Sequence, residues 1–453
     1  MTGKELVLEA YVRAEQERPP WVPFTGVHAG ALAGYTASEY LLDANKIVTG
    51  VQAAYDLYRP DGLPVLFDLQ LEAEVLGARL QWADDAPPSV ASHPLEQGYE
   101  GLTQLHMPTE NEGRIPLAIA ATRALHKSIG QHIALYGLVT GPFTLASHLR
   151  GVNIFLDMFD APEQLLKLMN FCGQVARRMA DYYIAAGADI IAVVDPMISQ
   201  ISAEHFRQYV HDEALVTFSH IRSAGRLSSF FVCGNATSIL AEMAASQPDG
   251  IAVDENVDMS VAKKVAAQFG ISYAGNIPLT TTMLFGSEVE NMSTVLDLVE
   301  KNAGPGYILS PGCDIPYAVP VSNIGALTMA IHKPEEARVI VANQQSSSSE
   351  KVNVTLPNYN QLKRPLVEVI TIDSDTCPPC KYMVEATRQV AKMIPGGIDW
   401  QEHKITTPEN VARMRLLGVK NLPTIVINGK VAFISRIPDL DTYSQAILKK
   451  GDT

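Results

Sequence analysis

Eight short apolar runs of strand type punctuate the first 333 residues, and amphipathic helical segments separate most of them. The runs are Trp21–Val27, Pro64–Leu69, His132–Val139, Asp189–Val194, Leu227–Cys233, Gly250–Val253, Ser272–Ile277 and Tyr307–Ser310. Helical periodicity fills Pro162–Ala186, Ala203–Ala224, Ser260–Phe269 and Glu288–Lys301. Continuous apolar strands alternating with helices imply a parallel sheet covered on its outer face. Eight such units suit a (β/α)8 barrel, with an open doubly wound sheet as the competing arrangement.

The alternation stops near residue 340. Residues 341–363 carry a serine run, Asn, Gln and one proline, a composition too polar to bury a core. The sequence therefore divides into a barrel over 1–340, a polar linker over 341–363 and a small α/β domain over 364–453. The net charge of −14 argues against nucleic acid or an anionic membrane as a partner. No uncharged apolar run is long enough to span a bilayer, and residues 1–20 do not read as a signal peptide. Five cysteines without a short-spaced disulfide framework point to a reducing compartment, so a cytoplasmic location is expected.

Active sites of such barrels sit at the C-terminal ends of the strands. Those ends carry His28, Asp68, Thr140-Gly141-Pro142, Asp195, Cys233 with Asn235, Asp254-Glu255, Asn276 and Cys313-Asp314. Cys233 and Cys313 fall on strands five and eight, where two thiols facing one cavity could bind zinc or simply pack as small hydrophobes. Cys172, inside a helix, reads as packing.

These residues resemble the uroporphyrinogen decarboxylase superfamily over about residues 3–333, and most closely its cobalamin-dependent methyltransferase branch, of methylcobamide:coenzyme M type. The resemblance is carried by Arg18-Pro19-Pro20-Trp21-Val22-Pro23, by Phe67-Asp68 through Glu72-Ala73-Glu74 to Gly77, and by Gly141-Pro142-Phe143-Thr144-Leu145-Ala146. It continues through Ala185-Ala186-Gly187-Ala188-Asp189, Asp195-Pro196, Val253-Asp254-Glu255, Gly275-Asn276 and Ser310-Pro311-Gly312-Cys313-Asp314.

In that branch a His-x-Cys motif and a later cysteine hold a zinc that binds the acceptor thiol, which then attacks a corrinoid-bound methyl group. Cys233 and Cys313 match the cysteines, but Phe231 stands at the histidine. The resemblance thus implies Cys233, Cys313 and Glu74 as metal ligands, with Glu72, Asp254 and His28 as other candidates to complete the shell. It places His28, Asp68, Asp195, Asn235, Asp254 and Asn276 around a methylcobamide, free or carried by a corrinoid protein, with a small thiol as co-substrate. A redox dithiol at Cys233 and Cys313, or a non-catalytic corrinoid-binding protein, are the alternatives. Uroporphyrinogen decarboxylation is not expected, because Thr25-Gly26-Val27-His28-Ala29-Gly30 replaces the arginine-rich substrate motif.

In the small domain the alternating strand Val367–Ile372 leads into Cys377-Pro378-Pro379-Cys380 and a helix over Lys381–Met393. A thiol at a helix N-terminus is acidified by the dipole and the unpaired N–H groups, and a second thiol one turn on can resolve a mixed disulfide. Pro423 precedes another strand, and Asn428-Gly429 reads as a hairpin turn. This segment resembles the thioredoxin and glutaredoxin superfamily, in which the matching proline is cis and lies against the thiols. Cys377, Cys380 and Pro423 are accordingly the expected catalytic residues of a dithiol reductase, served in turn by a cellular disulfide reductase or glutathione.

Overall fold

Ile190-Ile191-Ala192-Val193-Val194 has no polar side chain and is buried at every position. A strand apolar on both faces needs cover on both, which a closed barrel wrapped in helices supplies. The computed structural model describes residues 1–344, 354–371, 373–375, 378–419, 422–435 and 437–449, the side chains of Gln344, Asn360, Pro378 and Pro379 apart. They form two compact units, Met1–Gln344 and Gln345–Thr453.

The strands of the first unit are β1 (Gly62–Pro64), β2 (Leu80–Gln81), β3 (Ser89–Val90), β4 (Ala134–Thr140), β5 (Ile190–Val194), β6 (Leu227–Val232), β7 (Gly250–Val253), β8 (Ser272–Ile277) and β9 (Tyr307–Pro311). β2 and β3 pair as a small antiparallel ribbon. The other seven form one parallel sheet in the order β1-β4-β5-β6-β7-β8-β9. Its two edges are joined through the N-terminal segment. Leu309 N–H donates to the Pro20 carbonyl (2.9 Å) and Val22 N–H to the Leu309 carbonyl (3.0 Å), while Asp61 N–H donates to the Trp21 carbonyl (2.8 Å). The sheet is thus curled into a TIM-type barrel. Side chains at alternate positions, among them Tyr136, Leu138, Ile190, Ala192, Val194 and Phe231, fill its interior.

Two expected strands are shorter than read. Trp21–Val27 is reduced to a bridge at Trp21, because Pro23 has no N–H to donate and Gly26 turns the chain at φ +44°. Pro64–Leu69 pairs only over Gly62–Pro64 plus a Val65 bond to Tyr136, after which the chain leaves the sheet.

In the second unit, β10 (Leu366–Thr371), β11 (Asp399–Lys404), β12 (Thr424–Ile427) and β13 (Lys430–Ile434) form a mixed sheet in the order β11-β10-β12-β13. The amphipathic helix Pro378–Met393 covers one face, with Met383 and Val390 packed on Val367, Val369, Ile425 and Ile427. Asn428 and Gly429 both have positive φ, as the two-residue turn between β12 and β13 requires. The fold is the expected thioredoxin-like one. The helix Pro334–Gln344 runs into the start of the polar stretch, and within that stretch Tyr359 donates to Glu368 Oε2 at 2.7 Å. Among the described residues no helix is long and apolar enough to cross a membrane.

Asp61 ties the barrel seam together. Its buried carboxylate accepts Trp21 N–H at 2.7 Å and the Arg18 guanidinium at 2.6 and 2.9 Å. Asp61→Ala leaves a buried N–H and an arginine without their acceptor and is expected to cost about 3 kcal/mol, read as a lower urea midpoint at unchanged slope.

Candidate functional site

Cys233 follows the last residue of β6, and Cys313 lies two residues beyond β9. Ring closure carries both strand ends to the same mouth, and there the two sulfurs are joined in a disulfide across 80 residues of sequence, with Cα atoms 5.8 Å apart. Both cysteines are half-buried and pack on the interior core, which includes Phe24, Phe67 and Phe231. Phe231 lies 4.8 Å from Phe24 and 6.1 Å from Phe67 between ring centroids, and its side chain is fully buried.

Two glycines permit this approach. Gly234 has φ +97°, and a Cβ there would lie 2.7 Å from Ser199 Oγ. A Cβ on Gly312 would run into Glu255 Oε2 and lie 2.8 Å from the Glu255 nitrogen. The turn after β7 is fastened to the same place. Asp254 accepts Gly234 N–H at 2.8 Å, Asn256 N–H at 2.7 Å and Asn256 Nδ2–H at 2.6 Å. Asn276 donates through Nδ2 to the carbonyls of Asp254 (3.0 Å) and Val257 (2.7 Å). Burial raises the carboxyls around the disulfide: Asp314 to about 7, and Glu255 to about 8 with Asp254 adding to the effect. These acids are held toward their neutral forms beside the two sulfurs.

A second polar group lies at the ends of β1 and β4. Arg114, 5 % exposed, donates from Nε to Glu74 (2.7 Å) and from Nη1 to Asp68, and it lies 5.0 Å from the Trp82 ring. Glu72 accepts Thr140 N–H (3.0 Å) and its hydroxyl (2.7 Å), and burial raises its pKa. Nothing in the sequence marks Arg114: it precedes a helix rather than ending a strand.

The remaining expected site residues have other partners. His28 is buried, with Nδ1 3.1 Å from the Tyr317 carbonyl and Nε2 2.8 Å from the Tyr58 hydroxyl. A carbonyl can only accept, so Nδ1 carries the proton and Nε2 accepts from Tyr58; burial holds the ring near pKa 4, hence neutral. Asp195 caps the helix Pro142–Arg150, accepting from Phe143 N (3.0 Å), Thr144 N (2.8 Å) and Thr144 Oγ1 (2.6 Å). Asn235 makes a local turn to Thr237 N. Cys233, Cys313, Asp254 and Asn276 therefore form one connected group, and Asp68 and Glu74 a second around Arg114.

The donor set does not fit zinc in this state. The two sulfurs are bonded to each other, Phe231 offers no nitrogen, and Glu74 is paired with Arg114. Among the described residues no three His, Cys, Asp or Glu side chains gather as a metal shell. In the thioredoxin domain Cys380 is buried and disulfide-bonded in the first turn of its helix, and the Leu422–Pro423 bond is cis. Cys377 lies outside the described residues.

Residues 2–334 match the family described as uroporphyrinogen decarboxylase, and residues 367–447 match a thioredoxin domain. A methylcobamide:CoM methyltransferase of Methanosarcina acetivorans is 28% identical over 331 residues, covering 71% of this chain and 95% of that protein. A uroporphyrinogen decarboxylase of Carboxydothermus hydrogenoformans is 26% identical over 331 residues, covering 69% and 93%. A solved methyltransferase structure from Methanosarcina mazei superposes with a TM-score of 0.68 at 24% identity, covering 74% of this chain and 99% of that one, which shows the shared fold.

Burial raises the Asp195 carboxyl to about 6 against its three hydrogen bonds, well above its value of 3.8 in an unfolded chain. The folded state then binds the extra proton, so stability from this group is present below about pH 4 and is lost as pH rises through about 6. Asp195→Asn keeps an acceptor and removes the titration. The wild type should lose about 2–3 kcal/mol more than the variant between pH 4 and 7, read from urea midpoints at each pH.

Proposed function

The chain belongs to the uroporphyrinogen decarboxylase family, and on that premise we propose that its barrel transfers a methyl group between a methylcobamide and a small thiol. Methylcobamide:CoM methyltransferases among its relatives support this substrate class. We further propose that the thioredoxin domain keeps the barrel mouth in its thiol state. The observation that carries the reading is the Cys233–Cys313 disulfide in a chain whose second unit is a thioredoxin domain.

The exchange balances without an unnamed reactant. A Cys377 thiolate attacks one sulfur of the barrel disulfide, forming a mixed disulfide and releasing the other sulfur as a thiolate. The Cys380 thiol, deprotonated in the exchange, attacks Cys377 and frees the second barrel thiol. Two electrons and two protons pass to the barrel, the small domain is left as a disulfide, and an external dithiol reduces it again. Tethering keeps the effective concentration of one pair near the other high, on the order of millimolar for short linkers. Oxidation removes both thiols from the mouth, and reduction restores them.

A second reading is favoured by Phe231 in place of the family histidine. Here the Cys233/Cys313 pair is itself the working redox centre and exchanges electrons between Cys377/Cys380 and a ligand bound at the mouth.

Anaerobic mixing with methylcobalamin and CoM is expected to yield cob(I)alamin spectrally when the protein is reduced, with turnover lost on oxidation of Cys233–Cys313. Equal rates for the two forms would end the gating claim. Cys380→Ser removes the resolving thiol and should trap Cys377 covalently with Cys233 or Cys313, mapped by peptide mass after non-reducing digestion. If no such linkage accumulates, within or between chains, the small domain does not reduce the barrel.

A further inference from the structure

We propose that the Cys233–Cys313 site is a metal-independent dithiol–disulfide couple, whose reduction yields two free protein thiols and not a zinc centre. This deepens the reading above, since it assumes that the same pair is the reactive site. Side chains two residues apart on a strand share a face, so the side chain at position 231 points to the same side of β6 as Cys233. The histidine of the related His-x-Cys motif would stand there. The structure instead places a phenyl ring at that position, fully buried and wedged against Phe24 and Phe67. Both cysteines pack on the core that contains these rings. An imidazole there would put two polar nitrogens into an aromatic interior, so the substitution is built into the core.

Three other candidate donors, His28, Glu74 and Asp254, are held elsewhere. Both ring nitrogens of His28 are engaged, by Tyr317 and Tyr58. Glu74 is bound by Arg114, and Asp254 accepts three hydrogen bonds that hold its own turn. Among the described residues, Glu255 accepts Leu279 N–H through Oε1 at 3.4 Å while its buried Oε2 has no hydrogen-bond partner. Glu255 and Asp314 lie against Gly312 and Gly26, and among the described residues they do not gather with a third donor as a metal shell. Tetrahedral zinc needs four donors at about 2.0–2.3 Å, and two thiolates alone leave half the shell to water. The same two sulfurs need only each other to form a disulfide, and the fold already holds their Cα atoms at 5.8 Å, within the usual range for a disulfide. Oxidation of the pair takes two electrons, releases two protons and needs a disulfide-class acceptor; reduction is the thiol exchange written above.

The test is metal content joined to thiol mapping. Full-length protein is reduced with a phosphine under anaerobic conditions, offered zinc in the presence of a competing chromophoric chelator, and then alkylated. Peptide mass separates Cys233 and Cys313 from Cys377 and Cys380. The expected result is that Cys233 and Cys313 alkylate at the same rate with and without zinc, and that no zinc is held against the chelator in proportion to those two residues. One zinc per chain that slows alkylation of both by about tenfold or more overturns the proposal. Methyl transfer is not read in this experiment, so a barrel without that activity still decides the metal question, and a barrel with it leaves the zinc result independent.

Discussion

A parallel sheet has two edges, and in this barrel everything at the mouth depends on how those edges meet. The first and last strands of the seven-stranded sheet are not paired with each other; the backbone of Pro20, Trp21 and Val22 lies between them and supplies the missing hydrogen bonds. Unpaired backbone groups in a buried sheet cost about as much as lost hydrogen bonds, so this short segment is as necessary as a full strand. Asp61, the residue before β1, holds it from the sheet side and Arg18 from its own side. Once the ring is closed, all strand ends open onto one face, and cysteines 80 residues apart come within bonding distance.

The mouth combines an aromatic floor with a rim of acids. Phe24, Phe67 and Phe231 are buried in the core against which both cysteines pack, and burial pushes the surrounding carboxyls toward neutrality. A strongly negative rim would oppose thiolate formation through like-charge repulsion, and protonated acids relieve that. Arg114 balances the other side of the mouth, where Asp68 and Glu74 share its guanidinium. The two halves thus differ in character: an ionic network at the ends of β1 and β4, and sulfur with acids raised toward neutrality at the ends of β6, β7 and β9.

Much of this architecture was readable from residue order. Pro162–Ala186 is a helix from its first to its last expected residue, and Gly250–Val253 and Ser272–Ile277 are strands with the expected bounds. Long apolar periodicity leaves little choice of element. Trp21–Val27 and Pro64–Leu69 read as strands on hydropathy, but proline and a left-handed glycine cut them short, which local backbone chemistry decides. Individual site roles were harder to read. Asp195 and His28 end strands or begin loops as a ligand would, yet one caps a helix and the other bridges a tyrosine and a carbonyl. A polar residue's partner is set by what folds against it, and hydropathy carries no record of that. Arg114 was invisible for the same reason: a lone arginine before a helix is ordinarily solvated, and only the packed structure buries it beside Asp68, Glu74 and the Trp82 ring.

The amino-acid order alone determined the elements, the barrel followed by a thioredoxin domain, and the presence of two cysteines at strand ends with phenylalanine where the related motif has histidine. The elements and the strand-end cysteines follow from periodicity and spacing, which are local along the chain, and the two domain types and the exchanged histidine from the resemblance to known families. The bonding of Cys233 to Cys313, the engagement of Glu74 by Arg114 and the aromatic surroundings of Phe231 were decided by the tertiary structure. Each depends on distances between residues far apart in sequence, and closing the strand ring is what sets those distances.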